Sequence, residues 1–171
     1  MESDLTIREA NLNDCHPICK FIELVDGDFF PLLSVRPGGI VDRVERSLAK
    51  SESNYLIVET GAPIPNTSND DDGLILALLG YKIYWEGIHN AYISFIAVRP
   101  DHRNMGISSM LMRMIEDRMR LENIRHMYIC TWSTNKPAVR FYEKFGYNVH
   151  HVIKDARGVG IDTVFYRKDL K

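Results

Sequence analysis

At 171 residues and 45% hydrophobic, the chain is long enough to bury one sizeable core and too short for two ordinary domains, so a single domain over residues 1–171 is expected. A formal net charge of −2 excludes the global basic field of a nucleic-acid-binding protein, and any anionic ligand must be held locally. No stretch approaches an apolar membrane span, Met1-Glu-Ser-Asp lacks the basic start of a secretory signal, and Cys15, Cys19 and Cys130 form no disulfide framework, so a soluble cytoplasmic protein without membrane association is expected.

Leu5-Thr-Ile-Arg-Glu alternates apolar and polar residues as a half-buried strand does, and Asn11 or Asn13 then caps a helix with Ile18, Phe21, Ile22 and Val25 on one side. Beyond Pro31 and the Pro37-Gly-Gly turn, Val41, Val44 and Leu48 recur at helical spacing, and Tyr55-Leu-Ile-Val-Glu reads as a strand. Gly61 to Gly73 reads as an acidic loop around Asp70-Asp-Asp. Leu74 to Trp85 and Tyr92 to Val98 are apolar strands joined by Glu86-Gly-Ile-His-Asn, a hairpin at the sheet centre. Ile107, Met110, Leu111, Met114, Ile115 and Met119 draw a broad helical stripe up to Leu121. Met127 to Trp132 is a strand, Lys136 to Phe145 a helix ended by Gly146, and the tail from Tyr147 to Tyr166 reads as two strands around Gly158-Val-Gly160. The class is mixed α/β.

The most informative stretch is Phe95-Ile-Ala-Val-Arg-Pro-Asp-His-Arg-Asn-Met-Gly-Ile-Ser-Ser, where a strand stops at Pro100 and a turn opens into the long helix. A helix start leaves about four backbone N–H groups unpaired, and with the macrodipole they favour an anion. Gly106 allows close backbone approach, Ser108 and Ser109 are small donors, and Arg103 supplies a mobile positive charge. Neither a P-loop nor a dinucleotide fingerprint is present, because the second Gly followed by Lys and Ser or Thr, and the extra glycines, are missing.

Arg103, Gly106 and Ser108 occupy the three positions of the R/Q-x-x-G-x-G/A signature, and Asn135-Lys-Pro-Ala-Val-Arg-Phe-Tyr-Glu-Lys-Phe-Gly-Tyr matches a second signature downstream. With both in order, the chain resembles the GNAT superfamily of acyl-CoA N-acyltransferases, with Ser108 a departure from the usual Gly or Ala. The resemblance implies a mixed, mostly antiparallel central sheet of about seven strands flanked by about four helices, with the fourth and fifth strands splayed around the pantetheine arm. It implies acetyl-CoA as co-substrate, held by Ala97 and Val98 along the arm and by Arg103, Asn104, Met105, Gly106, Ile107, Ser108 and Ser109 at the pyrophosphate. Asn135 would approach from the far side. A primary amine is the implied acceptor, on a small molecule or on a peptide N-terminus or lysine, and homodimerisation is left open because many relatives dimerise.

Transfer from a thioester to an amine needs an acid for the departing thiolate and a base for the amine. Tyr142 suits the acid, since a phenol near pKa ~10 can protonate a thiol's conjugate base near ~8.5 when placed beside it. The positions matching the base of some relatives are Tyr92, Ser94 and Cys130, none an obvious base, so Glu86 and His89 in the hairpin turn are the candidates, acting through water. Cys130 reads as a buried strand thiol, Cys15-His16 with Cys19 as helix packing, and no metal is expected. His150 and His151 should point to opposite faces of a strand. Asp26, Asp28, Phe29, Phe30, Tyr84 and Trp85 are expected to shape the acceptor side. The alternative reading is a non-catalytic acyl-CoA sensor, and the last is an interaction protein using the acidic loop.

Overall fold

The computed structural model describes residues 5–61 and 75–171; the expected acidic loop lies outside the described residues apart from its first glycine. In chain order the elements are β1 (Leu5–Glu9), α1 (Cys15–Val25), α2 (Gly39–Leu48), β2 (Ser53–Thr60), β3 (Ile75–Ile83), β4 (Asn90–Val98), α3 (Ile107–Leu121), β5 (His126–Trp132), α4 (Lys136–Lys144), β6 (Asn148–Ile153) and β7 (Thr163–Asp169). The strands form one sheet in the order β1-β2-β3-β4-β5-β7-β6. Antiparallel ladders join β1 to β2, β5 to β7 and β6 to β7, while β4 and β5 run parallel. This is the mixed, mostly antiparallel seven-stranded sheet with four helices that the sequence led us to expect.

The residues fall into two compact units, one of residues up to Tyr81 with Phe95–Arg113, the other of Lys82–Ser94 with Met114–Lys171. In the first, Ile18, Ile22 and Val25 of α1, Ile40 and Val44 of α2, Tyr55 and Ile57 of β2, Leu78 and Phe95 make one buried cluster. Each such aliphatic side chain withdrawn from water contributes about 1.5–3 kcal/mol. Asn11, one of the two asparagines expected to cap the first helix, instead caps the short 3-10 turn Leu12–Asp14 that leads into α1: its Oδ1 accepts from Asn13 N–H at 2.9 Å, and Asp14 Oδ2 accepts from Asn11 N–H at 2.7 Å.

Asp14 also receives two hydrogen bonds from Arg8, at 2.8 and 2.7 Å, and Arg8 reaches Glu59 as well. The Arg8 hydrogen bonds, helped by the Asn11 N–H and opposed by burial, hold the Asp14 carboxyl below its usual range. A depressed carboxylate stabilises the fold above its unfolded pKa of about 3.9, and that stability disappears as pH falls through the lower folded value. Asp14→Asn is therefore expected to lower the thermal midpoint by a few degrees at neutral pH, with the gap to wild type closing in strong acid. A gap that stays constant to the bottom of the acid range would contradict the assignment.

In the second unit, β5 is the middle of the ladder system. The β4–β5 pairing runs from Asn90↔His126 to Ile93↔Ile129, and β5 pairs along its whole length with β7, from His126↔Asp169 to Trp132↔Thr163. That pairing carries β7 to Asp169, beyond the Tyr166 limit read from the sequence, because His126 supplies a backbone partner that no local pattern announces. Gly146, at φ +81°, ends α4 with its N–H on Glu143 O at 2.9 Å and the Tyr147 N–H on Tyr142 O at 3.0 Å.

Candidate functional site

In the first unit, β4 ends at Val98 and the chain makes a short 3-10 turn over Pro100–His102 before α3. Arg99 N–H still bonds Leu76 O of β3 at 2.8 Å, which fixes where the turn begins. Asn104 and Gly106 take φ of +64° and +81°, so the backbone winds left-handed twice within three residues. Gly106 suits this without steric cost, and Asn is among the few other residues that tolerate it. The helix ladder starts with Met110 N–H on Gly106 O at 3.0 Å, which makes the N–H groups of Ile107, Ser108 and Ser109 start-of-helix donors. Among the described residues, a Cβ at Gly106 would meet no atom within 4 Å. The turn thus combines left-handed backbone, helix-start donors and open space beside Gly106, and it fits an anion such as a pyrophosphate.

Arg103 differs from expectation. Read as a mobile charge, it is held at two points: Nε donates to Val98 O at 3.1 Å and Nη2 to the Asp28 carboxylate. The Val98 carbonyl is thereby engaged inside the protein. Ala97 packs against the buried cluster of this unit, and Met105 stands exposed.

In the second unit, Tyr142 on α4 is buried, its ring 5.8 Å from Phe141, 5.8 Å from Tyr166 and 6.4 Å from Tyr147. Burial, then the proximity of Cys130 and Tyr166, raises its pKa above the ordinary phenol value, so the hydroxyl stays protonated at neutral pH. Asn135 is the N-cap of α4: its Oδ1 accepts from Ala138 N–H at 3.4 Å and its Nδ2 donates to Thr131 Oγ1 at 3.1 Å. Both ends of the amide are used within the protein. Cys130 is half-buried rather than buried. Its Sγ lies 3.1 Å from Tyr92 Oη and 3.8 Å from Arg157 Nη2. Burial above all raises the Tyr92 pKa as well. Arg157, from the β6–β7 connection, also sits over the Trp132 ring at 5.5 Å and donates to Thr163 Oγ1 at 3.0 Å. No local pattern in the sequence announces it.

The two base candidates share the β3–β4 turn and little else. Glu86 is exposed at φ +52°. His89 is half-buried, its Nδ1 3.1 Å from Asn123 O. A carbonyl only accepts, so Nδ1 is the donor in this contact. Nearby, Trp85 stacks on Tyr92 at 4.9 Å and tilts onto Tyr128 at 5.0 Å. His150 and His151 do not point apart: their rings are 5.3 Å from each other, because a register irregularity in β6 between Val149 and His151 interrupts the alternation. Among the described residues no group of three His, Cys, Asp or Glu side chains is placed to hold a metal, and no helix is long and apolar enough to cross a membrane.

The sequence model of the acetyltransferase (GNAT) family matches residues 41–147. N-alpha-acetyltransferase 60 of Drosophila melanogaster is 27% identical over an alignment 113 residues long that covers 57% of this chain and 41% of that relative, so the match spans less than half of the relative's length. Among solved structures, a protein from Desulfovibrio desulfuricans described as an acetyltransferase of the GNAT family superposes with a TM-score of 0.77 at 21% identity, covering 98% of this chain and 99% of that one. An aminoglycoside 6'-N-acetyltransferase complexed with coenzyme A gives a TM-score of 0.70 at 15% identity, covering 97% of each chain.

Proposed function

The chain belongs to the GNAT acetyltransferase family, and on that premise we propose that residues 1–171 act as one domain that moves an acetyl group from acetyl-CoA to a primary amine by direct attack. The observation that carries this reading is the turn from Arg103 to Ser109, whose left-handed Asn104 and Gly106 lead into helix-start N–H groups, with open space beside Gly106 among the described residues. N–H groups of Arg103, Asn104, Met105, Gly106, Ile107, Ser108 and Ser109 hold the pyrophosphate, with Ala97 and Val98 along the pantetheine arm. Asn135 supports the cofactor indirectly, by fixing the start of the helix that carries Tyr142. The solved relative complexed with coenzyme A supports the choice of ligand.

When bound, acetyl-CoA supplies a thioester carbonyl that an amine can attack and a sulfur that leaves. Tyr142 Oη, protonated at neutral pH, donates its proton to that sulfur. His89 Nε2 or the Glu86 carboxylate of the same turn takes the proton released by the amine through a water. The acceptor is a small-molecule amine or a peptide N-terminus or lysine; the N-alpha-acetyltransferase relative supports the peptide class. The setting proposed for the reaction is the cytoplasm.

The test is release of free thiol from acetyl-CoA by the purified chain, on addition of amines ranging from small polyamines to peptides with free N-termini. Thiol release that depends on both the chain and an amine is expected. Saturable acetyl-CoA binding with no release for any amine would favour the alternative, a non-catalytic acyl-CoA sensor.

A further inference from the structure

We propose that Asp28 sets the affinity of the Arg103 turn for anions by competing with the incoming ligand for the guanidinium. The inference rests on the proposed function in that the anion considered is the pyrophosphate of acetyl-CoA.

Asp28 is 75 residues from Arg103 in sequence, yet its carboxylate accepts from Arg103 Nη2. This is not the chance reach of a loose side chain. Asp28 closes a 3-10 turn, Asp26–Asp28, in which Phe29 N–H bonds Asp26 O at 3.0 Å. The Asp26 carboxylate pins the following loop by accepting from Leu33 N–H at 2.6 Å and Ser34 N–H at 3.2 Å. The Phe29 ring stacks on Phe95 of β4 at 5.0 Å and 18°. Two anchors, one polar and one aromatic, therefore present the Asp28 carboxylate to the guanidinium, while Val98 O fixes the other side of it at 3.1 Å.

A phosphate oxygen seeking Arg103 meets that carboxylate as a rival acceptor and as a like charge. Water decides how strong the rival is. The side chains of Arg103 and Asp28 are 40% and 44% exposed, and an exposed ion pair shifts an equilibrium by no more than about fivefold. Asp28 thus lowers anion affinity without blocking it, and the ligand can displace it. Neutralising the carboxylate removes the rival and the repulsion together, while an Asn side chain keeps the size of the residue.

The experiment is calorimetric titration of wild type, Asp28→Asn, Asp28→Glu, Arg103→Gln and the Asp28→Asn/Arg103→Gln double variant, with coenzyme A and separately with inorganic pyrophosphate. Asp28→Asn is expected to tighten binding of both probes by about two- to fivefold at low salt, with the gain shrinking as salt screens the charges. Asp28→Glu keeps the charge and should stay near wild type, and the gain should fall when Arg103 is Gln. Unchanged or weaker binding by Asp28→Asn, with a wild-type thermal midpoint, would overturn the inference. So would a gain that is undiminished without Arg103. Tightened pyrophosphate binding with no coenzyme A binding in any variant would support Asp28 as the competitor and remove only the proposed function. Failure of both probes in every variant would overturn the two together.

Discussion

Tyr142→Phe is expected to lower the rate of acetyl transfer by about 10²–10⁴-fold while the affinity for acetyl-CoA stays within about twofold, the range set by loss of a positioned general acid. That range corresponds to about 2.7–5.5 kcal/mol of transition-state stabilisation. The split follows from what the substitution removes. The Phe ring refills the space against Phe141, Tyr147 and Tyr166, so α4 and its packing survive and only the hydroxyl is lost. The hydroxyl is protonated at neutral pH because burial first, then the neighbouring Cys130 and Tyr166, disfavour the phenolate. Its absence withholds a proton from the leaving sulfur and takes nothing from the Arg103–Ser109 turn. Stopped assays of thiol release give the rate, and titration with acetyl-CoA gives the affinity. Equal losses in both, or a rate close to wild type, would contradict the acid role.

Gly106→Val is expected to weaken acetyl-CoA binding by at least about 100-fold. Two effects combine. At φ +81° an L-residue pays about 1–2 kcal/mol in steric strain, and a β-branched one more. The new side chain also meets no atom of the described residues within 4 Å of its Cβ, so it stands in the open space the pyrophosphate is proposed to enter. Gly106→Ala separates the two, since it carries most of the backbone strain with far less bulk, and its affinity should fall between wild type and Val. Wild-type affinity in the Val variant would refute the placement of the ligand at this turn.

The elements legible in the sequence are those whose signal is local. The α3 stripe is written in a single helical period, the Asn11 cap and the Gly146 stop are fixed by residues a few positions away, and the strand-to-turn-to-helix passage through Pro100 and Gly106 is read within about fifteen residues. What escaped is carried by long-range contacts. Arg103 looks like a free cation until Asp28 arrives from the α1–α2 connection. Cys130 looks like an ordinary buried thiol until Arg157 and Tyr92 converge on it. The two histidines of β6 were assigned opposite faces by strict alternation, and one irregularity in pairing with β7 cancels that rule. The full reach of β7 likewise depends on β5, a strand more than thirty residues upstream.

The measurement that tests the central claim most directly is calorimetric titration of the purified chain with acetyl-CoA. One saturable site per chain is expected, weakened as salt rises because anionic phosphates meet Arg103 and the start of α3. No heat of binding at any salt concentration, from a chain shown to be folded by its thermal transition, would contradict both the turn as an acyl-CoA cradle and the acetyl transfer built on it.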